Sequence, residues 1–416
     1  MKASIISIGD ELLFGQTLDT NAHWISQKLS ELGIDVFQRF TIHDQADEIK
    51  NTLDKALENT DLVLISGGLG PTLDDKTKST LADYFNVKLV LNDKILRHIK
   101  NLFSGHKAGD LERNKQQAML PANCTAIPND LGTAPGMWFD IENQCIISMP
   151  GVPVEMKSMM NNSILLQIKS RFTLPVLIHQ YLMTAAMGES QIAEMLQDFE
   201  KSLPAYIKLA YLPGQGMVKL RLTAKGKHKT QLLHEASPYY ERMKAILGHI
   251  VYSENQHDRL EHVIIRLLKK SGQSLATAES CTGGAIAKRI TSVPGSSSIF
   301  KGSVVAYANE IKIALLGVSE IWLKTKGAVS KEVAIAMAKG IMQQMNTDFA
   351  IAVTGIAGPG GGSEKKPVGT VWIAVANKQH VHSKQLSLPG NRTQIIASTS
   401  IIALEMLRRF FMKHFV

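Results

Sequence analysis

This 416-residue chain has three cysteines, Cys124, Cys145 and Cys281, an odd number at spacings that match no zinc-ligand pattern. That excludes a disulfide framework and a structural zinc site, and it fits a reduced, cytoplasmic protein. No apolar run approaches the length of a membrane span, so no membrane partner is expected. The short runs, such as Phe349 to Val353, suit buried strands. No secretory leader is expected either, because Met1-Lys2 leads straight into an alternating strand. The formal charge is +9, yet the basic residues are scattered and form no block. Such a bias suits anionic substrates and does not mark a nucleic-acid-binding arm.

What is present is enough apolar content for sizeable cores and a length that predicts two or three domains. Ser4 to Ile8 reads as a buried strand, followed by the acidic turn Gly9-Asp10-Glu11. A helix carries Ile25, Leu29 and Leu32 on one face. Ile34 to Phe37 is a second strand, residues 45 to 59 a helix, and Asp61 to Ile65 a third strand. This βαβαβ rhythm predicts an α/β fold with a parallel sheet. At the carboxyl end of the third strand lies Ser66-Gly67-Gly68-Leu69-Gly70-Pro71-Thr72-Leu73-Asp74-Asp75, with Asp74 and Asp75 read as opening the next helix. Ligands of parallel sheets bind beyond the carboxyl ends of strands. Three glycines let the backbone approach a phosphate, and carboxylates beside it make sense if a divalent metal such as Mg²⁺ bridges them to the ligand. Asn129 to Gly136, which includes Gly132, and Met149 to Met156 read as loops at the same edge.

Residues 171 to 252 mix strands and helices as in a small α+β domain, with a hairpin around Pro213-Gly214-Gln215-Gly216 and a helix over Ala236 to Leu247. The cluster Lys225, Lys227, His228 and Lys229 reads as a solvated loop.

The last third opens with an amphipathic helix and then Thr277-Ala278-Glu279-Ser280-Cys281-Thr282-Gly283-Gly284, a strand-to-helix turn rich in hydroxyls and glycines. Its backbone amides and the following helix dipole favour an anion. Ser280 needs an activating base to act as a nucleophile. The histidines of this third fall in the first helix, in a loop over Gln379 to His382 and at the carboxyl end, none inside a motif. Lys312, five residues after Tyr307, is the alternative: a desolvated lysine has a lowered pKa and takes a hydroxyl proton. A Ser280–Lys312 pair relayed by Tyr307 is reasonable chemistry for amide hydrolysis. Amides around Thr282, Gly283 and Gly284 would form an oxyanion hole. The glycine run from Gly355 and the guanidinium of Arg392 would hold a phosphate. Ser330 reads as the N-cap of a helix from Lys331.

These motifs carry a resemblance. Gly9 to Leu13, Gly67 to Thr77, Asn129 to Gly136 and Pro150 to Met156 resemble the N-terminal domain of the CinA family. That domain is related to the molybdopterin-binding domains of molybdenum-cofactor biosynthesis, of the MoaB/MogA type. Ala278 to Gly284, Gly295 to Ser297, Tyr307 to Asn309 with Lys312, Leu315 to Val318, Gly327 to Ser330 and Thr354 to Gly362 with Pro367 to Val371 resemble the family's nicotinamide-nucleotide amidase domain. The resemblance implies three domains: 1–170, of the molybdopterin-binding type; 171–252, KH-like; and 256–416, the amidase. It implies hydrolysis of nicotinamide mononucleotide to nicotinate mononucleotide and ammonia, without a cofactor, by Ser280 as nucleophile, Lys312 as base and Tyr307 as an assisting hydroxyl. Substrate contacts fall on Asn309, Thr354 and Arg392. For the first domain it implies metal-dependent cleavage of ADP-ribose, with Gly67, Gly68, Gly70, Thr72, Asn129 and Gly132 toward the ligand and Asp10, Glu11, Asp74 and Asp75 toward the metal. It also implies a homodimer acting in pyridine-nucleotide salvage. A KH domain grips nucleic acid with a GXXG loop, and the middle region has none, so nucleic acid is not an expected partner. Two alternatives stay open: an adaptor linked to competence and recombination, and a molybdopterin-binding protein without N-terminal catalysis.

Overall fold

A computed structural model of the chain describes residues 1–72, 75–102, 115–214 and 216–415. The chain divides into two compact units, Met1–Leu177 with Lys225–Lys229, and Ile178–Ala224 with Thr230–Val416.

The first unit is an α/β layer structure. Its strands are β1 (Lys2–Ile8), β2 (Asp35–Ile42), β3 (Leu62–Ser66), β4 (Leu89–Leu91), β5 (Met119–Pro121), β6 (Thr125–Ile127), β7 (Gly136–Ile141) and β8 (Gln144–Met149). Six of them form one sheet in the order β2-β1-β3-β8-β7-β6. The first four run parallel, while β7 and β6 are antiparallel additions. β3 reads Leu-Val-Leu-Ile-Ser and is buried throughout, as a strand covered on both faces must be. Each such aliphatic side chain contributes about 1.5–3 kcal/mol of burial. Two cores flank the sheet, one centred on Ile5, Leu64 and Trp138, the other on Ile6, Ile65 and Phe139. The alternation along β1 and β3 sends successive side chains to opposite cores. The chain leaves β1 for β2 on one side and crosses back to β3 on the other. The sheet therefore reverses its winding beside β1, the point at which open α/β sheets leave a crevice.

The second unit holds two sheets. β9 (Val176–Ala185), β10 (Ile207–Gly214), β11 (Met217–Gly226) and β12 (Val251–Ser253) form a four-stranded sheet, order β10-β11-β9-β12. β10 and β11 are the expected hairpin, paired from Ile207↔Ala224 to Gly214↔Met217. The helix after it begins at Lys229 and runs to Leu247, seven residues longer than its pattern predicts. Pro238 lies inside it, and Leu232 and Ala236 continue its buried face ahead of the proline. Lys225, Lys227, His228 and Lys229 are exposed, spread over a strand end and this helix start.

β13 (Leu275–Glu279), β14 (Phe300–Val305), β15 (Phe349–Gly355), β16 (Thr370–Asn377) and β17 (Val381–Ser387) form the second sheet, order β14-β13-β15-β16-β17. The first three are parallel and the last two antiparallel. Here the winding reverses beside β13. One core packs Leu275, Ile351 and Ile373 against the terminal helix Arg392–Phe415. The other packs Ala276, Ala352 and Ala374 against the helix Lys331–Gln344. Alanines on that second face let the helix lie close. Buried Glu405 accepts from Arg408 and Arg409, and Arg408 also donates to the carbonyl of His249, tying the terminal helix to the segment that enters β12.

Three sequence expectations are corrected here. β13 extends through Glu279, so the turn starts only at Ser280. His382 stands in β17, which reads Val-His-Ser-Lys-Gln-Leu-Ser. This is a mostly exposed edge strand whose polar residues conceal it. Ser330 occupies the N-cap position, but its hydroxyl donates back to the carbonyl of Gly327 at 2.9 Å and caps no helix amide.

Candidate functional site

At the carboxyl ends of β1, β2 and β3 lies a cavity of about 550 Å³. It brings together the expected Asp10, Glu11, Gly67, Gly68, Gly70 and Asp75. Gly67 must be glycine: its φ is +117°, and a Cβ there would stand 2.1 Å from the carbonyl oxygen of Ile8. This close approach of the β1 and β3 ends sets the cavity floor. Asp75 does not begin a helix, because the next one spans Thr77–Tyr84. Its carboxylate turns back to accept from the amide of Thr72 at 3.0 Å and from the Thr72 hydroxyl. Thr72 thus holds Asp75 and does not itself line the cavity. Asp74 lies outside the described residues.

Asn129 and Gly132 also act indirectly. Asn129 donates to Glu155 Oε2 at 2.7 Å, and Gly132 leaves room for the same carboxylate, which a Cβ would meet at 2.5 Å. Glu155 lines the cavity and was not singled out from the sequence, although it stands in one of the loop motifs. Asp44 was missed as well. Its signal was available, since it sits two residues beyond β2, at the same edge as Asp10 and Gly67. Burial pushes the Asp44 carboxyl above its usual range. The Lys76 amide opposes that shift, while the neighbouring Asp75 and Asp10 charges add to it. Asp10 is paired with His43 at 2.8 Å.

Five carboxylates therefore surround one glycine-floored cavity. Among the described residues no group of three or more His, Cys, Asp or Glu converges tightly enough to cage a metal. Mg²⁺ does not require a cage: it keeps several waters and takes one or two carboxylates plus phosphate oxygens. The all-oxygen donor set, with Asp44 raised by burial and by its acidic neighbours, fits such a hard cation.

The second cavity, about 240 Å³, opens at the carboxyl ends of β13 and β15. It gathers Ser280, Tyr307, Asn309, Lys312, Thr354, Gly355 and Arg392, all seven foreseen, together with Cys281, Ala328 and Val329. Ser280 follows β13 directly, and its amide donates to the carbonyl of Val353 at 3.0 Å. Behind it stands Glu279, wholly buried. Its carboxylate accepts from the amides of Ile286 (3.0 Å) and Ala287 (2.8 Å), the first turn of the helix Ala285–Thr291. The anion expected at that helix start is therefore the protein's own glutamate, which fixes the turn bearing Ser280.

Thr282, Gly283 and Gly284 lie in that turn but do not line the cavity. The Gly283 amide already donates to the Ser280 carbonyl at 3.1 Å, which removes it from an oxyanion hole.

Lys312, on the helix Asn309–Leu316, is 1% exposed. Its amine donates to the carbonyls of Ala306 (2.8 Å) and Tyr307 (3.3 Å). No carboxylate pairs with it among the described residues. Burial lowers its pKa below the ordinary lysine value, with Cys281 and Glu310 opposing. Arg392 bridges the carbonyl of Gly358 (2.8 Å) and the hydroxyl of Tyr307 (3.0 Å). Tyr307 stands exposed at the rim, held by Arg392 through its side chain and holding Lys312 through its backbone. Thr354 donates its hydroxyl to the carbonyl of Ala328 at 2.8 Å.

Three family models cover nearly the whole chain: probable molybdopterin binding domain over residues 4–170, damage-inducible protein CinA KH domain over 179–253, and CinA C-terminal domain over 257–411. A CinA-like protein of Cytophaga hutchinsonii is 44% identical over 98% of this chain and 97% of its own length. Another, of Flavobacterium psychrophilum, is 42% identical over 100% of both. Among solved structures, the competence/damage inducible protein CihA from Agrobacterium tumefaciens is 43% identical, covering 36% of this chain and 92% of that one with a TM-score of 0.36.

Cys281 beside Ser280 invites a thiol mechanism, but burial pushes its thiol up to about 12, leaving almost no thiolate at neutral pH. Iodoacetamide at neutral pH should leave Cys281 unmodified in the folded chain and modify it after denaturation, as read by peptide mass spectrometry. Labelling of the folded chain at the rate of a free thiol would contradict this.

Proposed function

This chain belongs to the CinA family, and we propose that its C-terminal domain hydrolyses the carboxamide of nicotinamide mononucleotide, releasing ammonia and nicotinate mononucleotide. The observation that carries the reading is the pairing, in one cavity, of Ser280 with a buried lysine that has no carboxylate partner among the described residues. Lys312 takes the proton of the Ser280 hydroxyl as Oγ attacks the amide carbon. The same proton then goes to the departing nitrogen, which leaves as ammonia. Water, deprotonated by Lys312, cleaves the resulting ester and restores the serine. Arg392 and the glycine segment from Gly355 hold the substrate's phosphate.

We propose further that the N-terminal domain cleaves ADP-ribose to AMP and ribose 5-phosphate. Asp10, Asp44, Asp75 and Glu155 are the residues to hold a divalent cation, with Glu11 beside them. Such a cation supplies charge neutralisation of the pyrophosphate and a water of lowered pKa. The glycine floor at Gly67, Gly68 and Gly70 receives the pyrophosphate, and Asn129, Gly132 and Thr72 hold the carboxylates in place.

Two experiments test these readings. Ammonia release from nicotinamide mononucleotide should persist in EDTA and fall at least about a hundredfold in Ser280→Ala and in Lys312→Ala, the scale of losing a nucleophile or its base. Near-normal turnover in either variant contradicts the mechanism. AMP formation from ADP-ribose should stop in EDTA, return with Mg²⁺, and be lost in Asp44→Asn. Pterin binding without such turnover would make the first domain a binding module.

A further inference from the structure

The amidase cavity has a wall that the reading above does not use. Residues Gly327–Ser330 link the helix Glu320–Lys326 to the helix Lys331–Gln344, and Ala328 and Val329 face the cavity. Four consecutive carbonyls here are taken by side chains. Lys366 Nζ donates to Lys326 and to Val329, 2.7 Å each. The Ser330 hydroxyl takes Gly327 and the Thr354 hydroxyl takes Ala328. The amides of Gly327, Ala328, Val329 and Ser330 have no acceptor among the described residues. Ser330 is buried, and Gly327, Ala328 and Val329 are half-buried.

We infer that Lys366 is a positioning residue which, by tying back the Lys326 and Val329 carbonyls, holds this wall with its amides free to join Arg392 and the glycine segment from Gly355 around the substrate's phosphate. The inference rests on the amidase reading for its substrate, and on the hydrogen bonds alone for its geometry. A phosphate suits the wall for three reasons. Successive free amides match a group with three acceptor oxygens. A fourteen-residue helix starts here, and its dipole favours a standing negative charge. No carboxylate pairs with Lys366 among the described residues, so its ammonium adds to that field. Lys366 thereby sets selectivity for a nucleotide over a nucleoside.

The test uses the full chain carrying Ser280→Ala, so that ligand is not consumed, with and without Lys366→Met, followed by calorimetry. Nicotinamide mononucleotide should bind at least about tenfold more weakly to the double variant, with nicotinamide riboside unchanged. That ratio is the scale of one charge-assisted hydrogen bond. Lys366→Arg should recover part of the loss, and an unchanged thermal midpoint excludes misfolding. Equal weakening of both ligands would reduce Lys366 to a general structural role and overturn the proposal, as would no weakening. In the chain with Ser280 intact, a fall in kcat at constant KM would assign the amides to the oxyanion instead and also overturn it. Inorganic phosphate is the second probe. If the mononucleotide does not bind at all, the amidase reading fails, while loss of phosphate binding in Lys366→Met still supports the wall. Phosphate binding by neither chain overturns it.

Discussion

The chemistry of the second unit depends on a lysine taken out of water. Lys312, on the helix Asn309–Leu316, is buried against the carbonyls of Ala306 and Tyr307, with no carboxylate to hold its charge among the described residues. Burial disfavours the ammonium form and lowers the lysine's pKa. In the proposed reaction the free-base form of this lysine takes the serine proton. Ser280 is brought to the same cavity by different means. Glu279 satisfies the helix that follows, and β13 and β15 hold the serine's backbone in register.

The two units reach their sites by the same topological route. In each, a parallel sheet reverses its winding, beside β1 in the first and β13 in the second, and the loops at that reversal carry the polar residues. What distinguishes the sites is charge. The first is crowded with carboxylates above a glycine floor. The second has a buried lysine and a guanidinium, with no carboxylate among its lining residues.

Much of this was legible in the sequence because strand ends and glycine turns are local signals. The parallel rhythm of β1 to β3, the glycines at 67, 68 and 70, and the convergence of Ser280, Lys312, Thr354 and Arg392 follow from motifs. What escaped depends on contacts between distant segments. Asp44 has no motif, only a place beyond a strand whose length was underestimated. Asn129 and Thr72 look like ligand contacts in sequence, and their bonds to Glu155 and Asp75 appear only in the fold. Glu279 reads as part of a turn, and only the fold shows it capping the next helix. β17 was hidden by its polar, edge-strand composition. Tyr307 reads as a catalytic hydroxyl, while its side chain in fact meets Arg392.

The most direct test of the central claim is the pH dependence of kcat for ammonia release, with the residual rate of Lys312→Ala as baseline. The free base is the active form, so the rate should rise with pH and level off. The midpoint should lie below 10.5, the ordinary lysine value, because burial lowers it. The rising limb should vanish in Lys312→Ala. A limb centred at the ordinary lysine value, or one that survives removal of Lys312, would contradict a desolvated lysine as the base.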